Sequence, residues 1–117
     1  MRSVGRLSPR PQKRYEDSFR LNGIEGLIYP TTPTVAPKVG EGEYIVAGEV
    51  LDTRTIGKNA YASSCAGLPG ISLPMGLSSD GLPIGLEIDG QPNSDSKLLD
   101  FAIRISRVLG SIPPPSN

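Results

Sequence analysis

The residues able to do chemistry in this chain are few, and their spacing excludes most of what they suggest. Its 117 residues include no histidine, which removes Ser-His-Asp and Cys-His nucleophilic pairs and any imidazole-based metal site. Cys65 is the single cysteine and has no base at a useful spacing, so it is read as a small buried thiol. Lys58 with Ser63 or Ser64 supplies the residue types of a Ser-Lys dyad, in which the amine takes the hydroxyl proton. Offsets of five and six residues on a helix turn those side chains away from each other. Glu87 and Asp89 share one face of a period-two strand, as an acid/base pair of carboxylates would. The same spacing is the ordinary solvent-facing set of a half-buried strand, and that is the reading preferred. Ser78–Gly81 is too short and wrongly placed for a phosphate loop. No catalytic residue and no metal ligand is assigned, and no cofactor is expected.

The elements that would position these residues are legible in part. Residues 1–10 read as a flexible basic arm. From Pro11 the run PQKRYEDSFRLNG reads as a short helix, with Tyr15 and Phe19 on one face and Asn22-Gly23 as its stop. GIEGLIYP is a brief apolar strand ending at Pro30, and the Pro-, Thr- and Gly-rich stretch to Glu43 is loop. Val50 to Ala66 carries a partial apolar face of Leu51, Ile56, Ala60, Tyr61 and Cys65 and is read as a second helix, stopped by Gly67 and Pro69. The alternation of Ile71, Leu73, Met75 and Leu77, then Ile84, Leu86 and Ile88, reads as two strands joined by a hairpin turn at Ser78–Gly81. Pro74 and Pro83 belong at edges, bulges or strand starts. The last element is a helix capped by Ser94, Asp95 or Ser96, with a stripe of Leu98, Ala102, Ile105 and Leu109 widened by Phe101 and Val108. Residues 111–117 form a Pro-rich tail. The expected class is therefore α/β, a partial mixed sheet of one strand plus a β-hairpin flanked by three helices, in the order α-β-α-β-β-α. Residues 11–110 make a single small domain.

Composition narrows the function classes. Twelve basic and twelve acidic residues cancel, so no global field draws nucleic acid or an anionic membrane. Arg2, Arg6, Arg10, Lys13 and Arg14 all precede the first acid, Glu16. Pro9 and Pro11 break the amphipathic helix that an organelle leader would need. No apolar run approaches the ~18 residues of a membrane span, and a lone cysteine suits a reducing, cytoplasmic setting. With 14 glycines and 12 prolines, much of the chain must be turn or tail, leaving a modest core.

The stretch AGLPGISLPMGLSSDGLPIGLEIDG resembles the C-terminal signature of the amidase signature family. The matching residues are Gly67, Pro69, Pro74, Gly76, Gly81, Leu82, Pro83, Gly85 and Gly90, then Asp95 and Leu98-Leu99. Upstream, LIYPTTPTVAP is similar to the family's strand and Pro/Thr loop, with Tyr29, Pro30, Thr31, Pro33, Ala36 and Pro37 in register. Lys58-Asn59 is similar to a basic-Asn pair of the indoleacetamide and mandelamide hydrolase branch, while Ala60 and Cys65 depart from that branch's usual Thr and Asn. The resemblance implies amide C–N hydrolysis by a serine activated through a second serine by a lysine, with oxyanion donors in a Gly/Ser-rich loop. That loop lies upstream of the matched stretch in the family, and no such run occurs here. A truncated or partial amidase, inactive alone, is the implied reading. The alternative is a free-standing interaction or small-ligand-binding module that reuses the scaffold. Asn59, on the helix that borders the family's cleft, is the one residue the resemblance nominates for substrate binding. The partners implied are a second copy of the chain or a complementing amidase N-terminal chain, and a small amide ligand.

Overall fold

The computed structural model describes residues 9–114. The expected arm lies outside them except for its last two residues, which open the first helix, and residues 115–117 of the tail lie outside as well. Helix α1 spans Pro9–Asn22, two residues longer at its start than expected, because proline is accepted in the first turn, where its missing N–H has no partner to lose. It ends as the sequence indicates. Gly23 takes φ +61° and Ile24 N–H reaches back to the Phe19 carbonyl at 3.2 Å, a left-handed stop that suits glycine.

Strand β1 (Gly26–Pro30) follows, and the expected β-hairpin is present as β4 (Gly70–Leu77) and β5 (Pro83–Gly90). The three strands form one sheet in the order β1-β5-β4. Both pairings are antiparallel, with Ile28 opposite Ile88 and Ile71 opposite Ile88, so the arrangement is α/β in composition but not mixed in strand direction. Pro83 starts β5, and Pro74 sits on the edge strand beside a bulge between Pro74 and Gly76. Both are positions where a missing ladder donor costs little. In the turn, the Ser78 hydroxyl accepts the Asp80 and Leu82 N–H groups at 3.3 and 3.1 Å, and Gly81 takes φ +78°.

The segment between β1 and β4 departs from expectation. A second hairpin, β2 (Glu43–Val46) paired with β3 (Glu49–Asp52), stands where loop and the start of a helix were expected. Ala47 and Gly48 both have positive φ, 52° and 84°, the tight reversal that fits the twist of two strands. A 3-10 turn (Thr53–Thr55) follows, and α2 runs only over Lys58–Ala66. Thr53, Thr55 and Gly57 explain the late start, being weak helix formers. Gly67, at φ +72°, closes α2 as anticipated. Helix α3 spans Asp95–Leu109 and is followed by Gly110.

Helices cover the sheet on both faces. Ile71, Leu73 and Ile88 face α3, packing with Leu98, Phe101, Ala102 and Ile105. On the other face Leu27 meets Tyr15 and Phe19 of α1, Ala66 of α2 and Leu68. Val108, expected to widen the α3 stripe, is 85% exposed. It sits in the last turn of α3, about 80° from Leu98 and about 120° from Ala102 around the helix at ~100° per residue.

Candidate functional site

Between α2 and the sheet lies a polar seam, built by residues that alternate with the α3-facing set. Opposite residues in an antiparallel pair point to the same side. The pairs Leu27–Asp89, Tyr29–Glu87, Ser72–Glu87 and Gly70–Asp89 therefore share the α1/α2 face. Asp89 is 2% exposed and Ser63 of α2 is 3% exposed. The Tyr29 hydroxyl donates a short hydrogen bond to Asp89 Oδ2 and lies 3.3 Å from Ser63 Oγ. Ser63 Oγ in turn donates to the Ala60 carbonyl at 3.2 Å. Burial, then the bond to Asp89, pushes the Tyr29 phenol above its ordinary 10.0, because ionising it would place a second anion against the carboxylate. Tyr29 is a fixed donor here.

Glycine makes room for this seam. A Cβ on Gly70 would sit 2.8 Å from Asp89 Oδ1 and 3.0 Å from Glu87 Oε1, so only a residue without one lets the two acids lie over β4. Further along, Thr31 Oγ1 and Ser72 Oγ meet at 2.6 Å across Gly85, where a Cβ would stand 2.7 Å from the first and 2.9 Å from the second. The hydroxyl bridge ties β1 to β4 over the central strand.

The residues singled out from the sequence fall as follows. Asn59, in the first turn of α2, donates from Nδ2 to the Pro30 carbonyl at 2.9 Å, which ties the helix start to the end of β1. Lys58 and Ser64 are exposed, and the Ser63 hydroxyl gives its proton to the Ala60 carbonyl and lies against Tyr29, so the structure does not assemble a Ser-Lys pair among them. Cys65 was read as buried and is exposed. The inward face of α2 is Ser63 and Ala66, and Tyr61 is exposed with it on the other side. Glu87 and Asp89 were read as a solvated face, and Asp89 is buried. Period two shows which residues share a face but not whether that face meets water. Three helices for so small a sheet was the signal that both faces are covered. Tyr29 and Ser63 gain their place only through that layer. Among the described residues no group of three or more His, Cys, Asp or Glu is placed to hold a metal, and no helix is long and apolar enough to cross a membrane.

Comparison with known proteins places these features in a larger frame. The family model described as Amidase matches residues 5–99. An indoleacetamide hydrolase of Rhizobium radiobacter is 40% identical over 104 residues, 87% of this chain and 22% of that protein. A mandelamide hydrolase of Pseudomonas putida is 39% identical over 109 residues, 92% of this chain and 21% of its own. The crystal structure of an amidase superposes with TM-score 0.75 at 28% identity, over 83% of this chain and 22% of that one. The structure of a 6-aminohexanoate cyclic dimer hydrolase does so with TM-score 0.64 at 26% identity, over 86% and 23%. The chain thus spans about a fifth of the length of the curated relatives it matches, as a C-terminal segment.

Proposed function

Because the chain belongs to the amidase family, we propose that its residues 11–110 serve as the C-terminal scaffold of an amide C–N hydrolase and turn over no amide by themselves. The observation that carries this is the composition of the polar seam. Its hydroxyls bond to one another, to a carbonyl and to a carboxylate, whereas cleaving an amide needs an activated nucleophile and oxyanion donors together. The family resemblance assigns those parts to a Gly/Ser-rich stretch that does not occur in this sequence. In this reading the segment completes a fold whose serines lie outside it, in the cytoplasm and without a cofactor. Asn59 then lies along the substrate cleft, held in place by its bond to the end of β1.

The test is ammonia release from a panel of aryl-acetamides and simple amides by the pure chain. No turnover is expected. Release that disappears on Lys58→Ala or Ser64→Ala would overturn the reading, since it would place a working nucleophile in this segment.

A further inference from the structure

Helix α3 is asymmetric about the line where it meets the sheet. Its inward residues are Leu98, Ala102 and Ile105. At ~100° per residue, Lys97, Phe101 and Arg104 fall on one flank and Leu99 and Ile103 on the other. The first flank is the β1 side, because Phe101 lies 3.5 Å from the position of a Cβ on Gly26. Charge there suits water. The second flank therefore faces the β4 side, and its two large apolar residues are 54% and 50% exposed.

Strand β4 is itself an edge of the sheet. Pro74 and the adjoining bulge blunt its far half, as edge strands often are. Gly70–Leu73 carries neither device. Leu98 Cβ lies 3.4 Å, and Pro69 3.5 Å, from a Cβ placed on Gly90, so the first turns of α3 stand over this same end of β4. An unblunted strand edge and an uncovered apolar helix flank are thus side by side.

Resting on the proposed amidase scaffold role, we infer that the Gly70–Leu73 edge with Leu99 and Ile103 is the docking surface for the serine-bearing part of an amidase fold. The occupant is a β-strand that extends the sheet, together with apolar side chains that cover the α3 flank. Two observations select it. The relatives carry this segment inside chains of which it is only about a fifth, so most of their fold lies beyond it. A second copy would offer the same short four-residue edge, limited by the same Pro74 and bulge.

The experiment co-expresses the full chain with the Pseudomonas putida mandelamide hydrolase lacking its own matched segment, tagged for affinity capture. The wild-type chain is expected to co-purify. Leu99→Asp with Ile103→Asp should cut recovery about tenfold or more, the effect of a loss of ~1.4 kcal/mol, while Ile45→Asp with Val50→Asp on the β2–β3 hairpin leaves it unchanged. Hydrogen exchange of the wild-type pair should show new protection at Ile71–Leu73, which decides the matter even if the α3 variant fails to fold. Failure of the wild-type chain to bind sinks the scaffold reading itself. Binding that survives the α3 substitutions, or that leaves the β4 amides unprotected, overturns the docking surface and leaves that reading standing. Self-association through Leu99 and Ile103 without capture of the hydrolase part assigns the edge to a second copy and also overturns it.

Discussion

At the scale of single residues, the buried carboxylate of Asp89 governs the polar seam. Its partner is the Tyr29 hydroxyl, and removing a donor to a buried acceptor costs more than the bond's net worth, because the acceptor stays desolvated. Tyr29→Phe is expected to lower stability by about 1.5–3 kcal/mol in urea unfolding. Replacing Asp89 by Asn in that background should cost less than it does in the wild type, since the two share one interaction. The same bond makes stability depend on alkali. The phenol is held above its ordinary 10.0 in the folded state, so above that pH the unfolded chain binds fewer protons and stability falls. Urea midpoints measured across pH 9 to 11, with and without Tyr29→Phe, would show the wild type losing the steeper slope if the seam does not form. On the surface, Arg54 Nε lies 3.0 and 2.9 Å from the two Asp52 oxygens, and this pairing holds the carboxyl down at about 2. In an NMR titration, Arg54→Ala should return Asp52 toward 3.8. No effect on global stability is expected, the pair being solvent-exposed.

At the scale of elements, what was legible in the sequence was what local rules determine. The β4–β5 hairpin declared itself through alternation on both sides of Ser78–Gly81, and Gly23 and Gly67 stopped their helices as glycines do. The β2–β3 hairpin did not, because its reversal is Ala47-Gly48 rather than an Asn- or Asp-led pair, and alanine at φ +52° follows no turn rule. That strain is testable. Ala47→Gly should stabilise the chain by about 0.5–1 kcal/mol, the relief of a left-handed alanine less the entropy glycine adds to the unfolded chain, read as a raised thermal midpoint. A lowered midpoint would mean the turn is not formed as described. Asp89 was misjudged for a different reason. Its neighbours in sequence are apolar on one side of the strand only, and the cover over the other side comes from α1 and α2, some twenty to eighty residues away in sequence. No window along the chain contains that information.

At the scale of the molecule, among the described residues the three-stranded sheet carries three helices and has both of its edges open, with Leu99, Ile103, Ile45 and Val50 exposed. Uncovered apolar area beside free edges favours association. Light scattering of the isolated chain should therefore show mass rising with concentration, and a monomer at every concentration would refute this. The sheet's order has a kinetic consequence as well. β1 meets β5 with Gly26 opposite Gly90, whereas β4 and β5 are joined by a short turn. Closing a loop of some sixty residues costs roughly 2 kcal/mol more than closing one of about six. The hairpin with α3 should thus condense first and wait for β1 and α1 to arrive across it. Substitutions at Leu73 or Leu98 would then slow refolding, and those at Leu27 would chiefly speed unfolding. Until β1 arrives, the central strand of the finished sheet is itself an edge. The interval before that late arrival, rather than the native state, is when the chain is most exposed to pairing with the wrong neighbour.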